Sequence, residues 1–405
     1  MNVPFRPVKL RRMDAGVLAP HMSQFAAWLY EQRYSVDSIR RKLRQAADLG
    51  HWLRRHGLGL EDIDERRIKE FFKNRRRRRP RHCAKNSLLA LLSQLRDVGA
   101  VPSVPVPRNP ISCIERRFSK YLIQTRGLSW KTVHRYLPAI RQFLTWRFRN
   151  KAIRLEHLRP RDTTHFILHH ALPGKPNYGL IKGLSTFFRH LRMDGKIAVD
   201  MAASVPKVST WRLAALPTTI PAEDVRRLLN DCHRNSPLGR RNHAMLLLIC
   251  RLGLRAGEVA FLTLDDIDWE AGELVVHGKG GSTDRLPLPA DVGDAMEKYL
   301  RYGRPQCTTR RFFIRSRAPF EGFRSYAGVS ATVCYEFARS GLSPSHKGAH
   351  ILRHTLATQM LHRGASLSEI SEILRHRDLL STQTYAKVDL NALRPLCLPW
   401  PGAAS

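Results

Sequence analysis

Gly348-Ala-His-Ile-Leu-Arg-His-Thr-Leu-Ala-Thr358 decides the reading of this chain. Leu352, Leu356 and Met360 recur at helical spacing, an apolar stripe that buries the helix and fixes its polar groups. His350 and Arg353, three residues apart, share one face of that helix. His354 is one step further round and is expected to point elsewhere. Downstream, Ile373-Leu-Arg-His-Arg-Asp-Leu-Leu-Ser-Thr-Gln-Thr-Tyr385 sets His376 nine residues before Tyr385, with Ser381 or Thr382 as an N-cap candidate between them. Upstream, Leu252-Gly-Leu-Arg-Ala-Gly-Glu-Val259 ends one helix at Gly253 and leaves Arg255 in the turn before the next. Each segment alone is ordinary. An isolated tyrosine is usually core or surface, and a glycine-arginine helix junction is usually structural.

The surrounding pattern is mixed α and β from Thr218 onward. Ile220–Leu229 begins as a helix with Pro221 suited to its first turn, and Asn242–Leu252 is a strongly apolar helix. Glu273–His277 and Arg285–Leu288 read as hairpin strands around the glycine-rich turn Gly278-Lys-Gly-Gly281, and Arg311–Arg315 as a further short strand. Helices are expected over His350–Arg363, Ser366–Arg375 and Thr382–Val388.

Before Thr218 the periodicity is helical. A basic lead-in over residues 1–21 precedes a helical module over 22–100, and a proline-rich linker over 101–110 separates it from a second module over 111–205. Residues 206–217 form a second linker, 218–392 the mixed domain and 393–405 a tail. The two helical modules resemble each other. Ser35-Val-Asp-Ser-Ile39 aligns with Ser129-Trp-Lys-Thr-Val133, Leu43 with Leu137, Trp52 with Trp146 and, one residue later, Phe71 with Phe166. Each is read as a serine-started helix ending near a tryptophan, then a loop and another helix. Arg75, Arg76, Arg77, Arg78 and Arg79, followed by Arg81, make a concentrated positive patch, either a solvated segment or a phosphate-tracking surface.

Charge narrows the partner class. Lys and Arg number 69 against 34 Asp and Glu, a formal net charge of +35 spread along the chain. A field of that size favours a polyanion, nucleic acid first, because cationic contacts to phosphate release counterions. The cysteines (Cys83, Cys113, Cys232, Cys250, Cys307, Cys334 and Cys397) are dispersed without a C-x-x-C pair, which argues for reduced thiols and against a zinc ribbon. No apolar run is long enough to span a bilayer and no secretory leader is legible, so the expected location is the bacterial cytoplasm, with the nucleoid.

Together these segments resemble the tyrosine recombinases, also called phage-type integrases. Arg255 falls in an R-x-x-E box with Glu258, Lys279 lies in the glycine-rich hairpin, and His350-x-x-Arg353 is followed by His376 and then Tyr385. The resemblance is strong over residues 218–392 and weaker over 111–205, where the family places a helical core-binding domain. It implies a mainly α fold with a small antiparallel sheet: helical N-terminal DNA-binding domains followed by an α+β catalytic domain.

The resemblance also implies the chemistry. Two guanidiniums, Arg255 and Arg353, would hold the non-bridging oxygens of a DNA phosphodiester, and Tyr385 would attack to give a 3′-phosphotyrosyl bond. His350 is the candidate base, Lys279 the candidate acid for the departing 5′ oxygen, His376 a hydrogen-bond partner of the phosphate, and Glu258 an orienting group for an arginine. No cofactor is expected: there is no carboxylate cluster for two-metal chemistry and no Walker-type loop. There are small departures: Arg375 stands where the family usually has glycine, and Arg377 and Asp378 replace the small residues that often follow His376. The expected partner is double-stranded DNA, bound by a homotetramer on two sites, with accessory recombinases and exchange of the C-terminal segment as further expectations. A mobile-element integrase or transposase is the leading reading. A Xer-like resolvase, a type IB topoisomerase and a non-catalytic DNA-binding protein on the same scaffold are the alternatives.

Overall fold

The structure, a computed structural model, describes residues 14–74, 82–102, 109–149, 151–170, 178–206, 217–278, 281–346, 348–376 and 382–386. It is mostly helical, with one three-stranded antiparallel sheet among the described residues. The chain divides into two compact units, Val104–Arg212 and the pair of segments Met1–Ser103 and Leu213–Ser405. No helix among the described residues is long and apolar enough to cross a membrane.

The first helical block runs α1 (Met22–Glu31), α2 (Val36–Arg55), α3 (Glu65–Asn74) and α4 (His82–Asp97). The second runs α5 (Pro110–Lys120), α6 (Trp130–Phe148), α7 (Pro160–His170) and α8 (Tyr178–Met193). Several positions that align in sequence are similar in the two blocks, although Ser35 caps its helix through a backbone amide and Ser129 does not. Ser35 caps α2, its Oγ accepting the Ser38 amide at 3.4 Å, and Ser129 precedes α6 with its hydroxyl 3.1 Å from that of Thr132. Ile39 and Val133 are both fully buried. Trp52 packs edge-on to Phe71 at 5.9 Å between ring centroids, and Trp146 meets Phe166 at 5.5 Å. In the last helix of each block Leu88, Leu91, Leu92 and Leu95 are buried at the same spacing as Leu184, Phe187, Phe188 and Leu191. Each such side chain contributes about 1.5–3 kcal/mol when buried. Both helices stop at a left-handed glycine, Gly99 with φ 73° and Gly195 with φ 65°. One extra residue separates Phe118 from Ser129 compared with Phe25 and Ser35. It falls where α5 widens into a π-helical turn, Tyr121–Thr125, the geometry that accommodates a single insertion.

The third block holds α9 (Ala222–Asn230), α10 (Pro237–Leu252) and α11 (Ala256–Phe261), then β1 (Ile267–Asp268), β2 (Glu273–His277) and β3 (Thr283–Pro287). It closes with α12 (Ala290–Tyr302), α13 (Ala327–Arg339), α14 (Ala349–His362), α15 (Leu367–Ile373) and α16 (Gln383–Ala386). Pro221 stands at the N-cap of α9, just outside its first turn. Ser236 caps α10, accepting the Gly239 amide at 3.0 Å, and Pro237 occupies its first turn. Along α10 the run Ala244–Ile249 is buried on every side, so this helix is the spine of the block. The hairpin pairs Glu273 with Pro287 through His277 with Thr283, and the Gly278 amide closes its turn on the Ser282 carbonyl at 2.7 Å.

Arg311–Arg315 is not a strand. Thr263 bridges Arg311 and Ile314 bridges Gly322, each in isolation. The amides of Phe312 and Arg315 donate to the backbone carbonyls of Leu262 and Glu321, while other backbone groups of the segment are taken by side chains. The Arg304 guanidinium donates to the carbonyls of Thr309, Arg311 and Phe312, and the Ile314 amide donates to Tyr299 Oη at 3.1 Å. Phe312, Phe313 and Ile314 are consecutively buried, so the alternation of a half-exposed strand is absent.

Candidate active site

The site begins where α10 stops. Gly253 takes φ 61°, and a Cβ there would lie 2.6 Å from Leu374 Cδ2, so glycine is required both for the left-handed turn and for the close approach. The turn delivers Arg255 to the N-cap of α11. Glu258, one turn into that helix, accepts the Arg255 amide at 2.8 Å and its Nη1 at 2.6 Å. Burial alone would raise the Glu258 carboxyl. The Arg255 amide and guanidinium and the charge of Arg375 outweigh it and hold the group below the usual carboxylate range. Glu258 is therefore an anion bonded to both the amide and the guanidinium of Arg255.

Arg353 projects from α14 and is only 4% exposed. Its Nη1 donates to the Gly253 carbonyl and its Nη2 to the Leu374 carbonyl. Arg255 Nη2 donates to the next carbonyl, that of Arg375, at 3.1 Å. The two predicted phosphate-holding arginines are thus fixed by consecutive carbonyls at the end of α15. Burial, then the charge of Arg255, lowers Arg353 to about 9, which leaves it a cation at neutral pH. The turn that presents these carbonyls has Arg375 at φ 54°. That left-handed conformation costs a non-glycine residue about 1–2 kcal/mol. The Arg375 side chain is buried and donates to Glu258 Oε2 at 3.0 Å and to the Ile373 carbonyl at 3.1 Å.

The same turn carries His376, whose amide donates to the Ser371 carbonyl at 2.9 Å and whose Nδ1 lies 2.7 Å from Thr382 Oγ1. The His376 ring is parallel to that of Tyr385 at 6.4 Å. Tyr385, on α16, is 2% exposed, and its Oη sits 2.8 Å from His354 Nδ1. Burial raises the phenol above its ordinary value, against the charges of Arg353 and Arg255. Burial, then His350 and Arg353, lowers His354, while burial and the surrounding arginines push His376 down to about 4. At neutral pH the phenol is protonated and both imidazoles are neutral; with His354 as its Nε2–H tautomer, Tyr385 donates its hydrogen to Nδ1.

His354 was expected to point away, and it does not. The signal was present: His350 and His354 are four residues apart, so they share a face as closely as His350 and Arg353 do. Their rings lie 6.3 Å apart, with His350 exposed in the first turn of α14 and His354 one turn deeper. Arg375 is the second group that the pattern undervalued, because its place in the charge cluster depends on a turn whose shape is set by packing. Lys279, the arginine run Arg75–Arg79 with Arg81, and the C-terminal tail lie outside the described residues. Among those described, no group of three His, Cys, Asp or Glu side chains is arranged to hold a metal ion.

A buried tyrosine beside neutral histidines and anchored arginines can hold a phosphate and offer it a nucleophile. Residues 218–391 match the model of the phage integrase family. A Sinorhizobium fredii protein named as integrase/recombinase y4rA is 41% identical over 401 residues, covering 98% of this chain and 97% of the relative. The tyrosine recombinase XerD of Listeria monocytogenes is 30% identical, over 67% of this chain and 92% of its own length. Among solved structures, XerH site-specific recombinase bound to palindromic difH substrate in a post-cleavage complex superposes with TM-score 0.55 at 17% identity, covering 76% of this chain and 95% of that one. The chain belongs to the phage integrase family, the tyrosine recombinases, a class of DNA strand-transferring enzymes.

Proposed function

We propose that this chain is an active recombinase that cuts and rejoins double-stranded DNA, with Tyr385 as nucleophile. The observation that carries the reading is the phenol of Tyr385 held at 2.8 Å by a neutral histidine, beside two arginines anchored on one turn. A phosphodiester bound by Arg255 and Arg353 loses much of its electrostatic shielding. Tyr385 Oη then attacks phosphorus, the bond to the 5′ oxygen breaks, and a 3′-phosphotyrosyl link conserves the bond for rejoining without ATP. The phenol proton passes to an imidazole. His354 is the one in contact with Oη, and His350, a turn nearer solvent, is the next on the same face. Lys279 supplies the proton to the leaving 5′ oxygen, and His376 donates to the phosphate. Rejoining is the reverse step, with a partner 5′ hydroxyl as the attacking group.

The helical blocks give the protein its grip. The pairwise match of Ser35 with Ser129, Trp52 with Trp146 and Leu88–Leu95 with Leu184–Leu191 supports two copies of one DNA-binding module, over 22–100 and 111–205, before the catalytic domain at 218–392. Arg75–Arg79 and Arg81 add phosphate contacts beside the first copy. The XerD relative matches 67% of this chain, whereas the y4rA relative matches 98%. That difference favours a mobile-element integrase or transposase over a chromosome-dimer resolvase. A homotetramer on two DNA sites, with exchange of C-terminal segments, completes the reading, in the bacterial cytoplasm at the nucleoid.

The test is a trapping experiment on nicked duplexes that tile the DNA flanking the gene. The parent protein is expected to form a denaturant-resistant complex on at least one duplex, and Tyr385→Phe on none. Equal complexes with both proteins would remove Tyr385 from the reaction.

A further inference from the structure

We infer that Arg375 is a positioning residue for strand cleavage, acting through Glu258 on Arg255. The inference rests on the recombinase reading above and adds a residue that the family pattern does not supply. Three observations converge on it. First, the Arg375 guanidinium is buried and its Nη2 donates to Glu258 Oε2 at 3.0 Å, while Oε1 of the same carboxylate accepts Arg255 Nη1 at 2.6 Å. One carboxylate is therefore shared between two guanidiniums. Second, the Arg375 carbonyl accepts Arg255 Nη2 at 3.1 Å, so both its backbone and its side chain bear on the same arginine. Third, Arg375 sits at φ 54°, at the end of α15, a position where glycine is the least strained residue. A strained conformation persists when its surroundings over-determine it, and here the surroundings are the charge cluster.

The physical consequence is a matter of charge balance. With Glu258 paired to Arg255 alone, carboxylate and guanidinium would largely cancel at the place where a phosphate must bind. Arg255 and Arg353 alone set two guanidiniums against one carboxylate; with Arg375 on Glu258 Oε2 the count is three against one, and the positive charge of the cluster is larger. Arg375 donates to the Glu258 oxygen that also accepts the Arg255 amide, a second tie on the carboxylate that limits the orientations open to the Arg255 fork. Its Nη1 tethers the guanidinium further, to the carbonyls of Ile373 at 3.1 Å and Leu252 at 3.4 Å.

The experiment uses the full chain with Arg375→Gly and Arg375→Lys. Glycine suits the left-handed turn, so the glycine variant is expected to fold, which its melting curve checks. Two quantities are read. The first is the titration of Glu258 in DNA-free protein, followed by carbon-13 NMR of the glutamate carboxyls and assigned with Glu258→Gln. It is expected to move upward in Arg375→Gly and to return toward the parent in Arg375→Lys. The second is the rate of covalent complex formation on the duplex that traps the parent. It is expected to fall about tenfold in Arg375→Gly, with DNA affinity within about twofold, and to recover in part with lysine. A merely structural role would lower the melting temperature without moving the Glu258 titration and would show no rescue by lysine. An unmoved titration overturns the inference, and so does a moved titration with an unchanged rate. A parent protein that traps no DNA counts against the recombinase reading instead, and the titration still decides whether Arg375 governs Glu258.

Discussion

His354 Nδ1 and Tyr385 Oη lie 2.8 Å apart, a hydrogen bond that joins α14 to α16. On the proposed reaction, this contact makes His354 the acceptor of the phenol proton. Replacing His354 by glutamine is expected to slow covalent complex formation about 10²- to 10⁴-fold, the usual worth of a positioned base, while DNA affinity stays within a few-fold. Single-turnover cleavage on a trapping substrate measures it. A rate unchanged by His354→Gln and abolished by His350→Gln would return the base role to His350. The acid limb of the pH–rate profile should lie below the ordinary histidine value, because burial lowers His354 and only the neutral ring can accept a proton.

The two arginines separate by burial. Arg255 is about a third exposed at its side chain, and Arg255→Ala is expected to cost about 10²-fold or more in cleavage with little change in stability. Arg353 is buried against the carbonyls of Gly253 and Leu374. Arg353→Ala strands both acceptors, at about 1–3 kcal/mol each, so its melting temperature should fall on the order of 10 °C in addition to the loss of cleavage. Differential scanning calorimetry of the two variants decides it. Equal melting temperatures would show that the turn holds without the Arg353 fork.

How much of this was legible in the sequence follows from what each residue depends on. Helix period and a glycine-ended helix placed Arg255 beside Glu258 and His350 on a face with Arg353, but the expectation that these and Tyr385 form one site came from the resemblance to the tyrosine recombinases, since local spacing cannot bring together residues about a hundred positions apart. The strand pairing of Glu273–His277 was legible from alternation around a glycine-rich turn. Arg311–Arg315 was misread because Arg304 and Tyr299, outside the segment, take part of its backbone hydrogen bonding and leave it only isolated bridges. His354 was misread because helical spacing gives a face but not which element covers it. Only the packing of α16 brings Tyr385 to that face.

Two histidines should make the protein acid-sensitive above the carboxylate range. Burial lowers both His243 and His376 to about 4, below the ordinary 6.5. The unfolded chain therefore takes up protons first, and the stability contributed by these neutral rings is complete above pH 6.5 and lost as the pH falls toward 4. Urea midpoints at pH 7.5 and pH 5 are expected to differ, with the lower value at pH 5, and His243→Gln should narrow the gap. A midpoint that does not fall between these values would show that both rings titrate alike in the folded and unfolded states.

The arginine run is open to a salt titration. If Arg75–Arg79 and Arg81 track phosphate, changing all six to glutamine should reduce the slope of log affinity against log salt by about 0.9 for each lost contact. Fluorescence anisotropy on the trapping duplex at several salt concentrations measures it. An unchanged slope would leave the run a solvated segment.

The central claim is that Tyr385 becomes bonded to DNA phosphate. The most direct measurement is mass spectrometry of the trapped complex after nuclease and trypsin digestion. The expected result is a nucleotide adduct on the peptide Asp378–Lys387, localised by fragmentation to Tyr385. An adduct on any other residue, or a trapped complex that survives Tyr385→Phe, would contradict it.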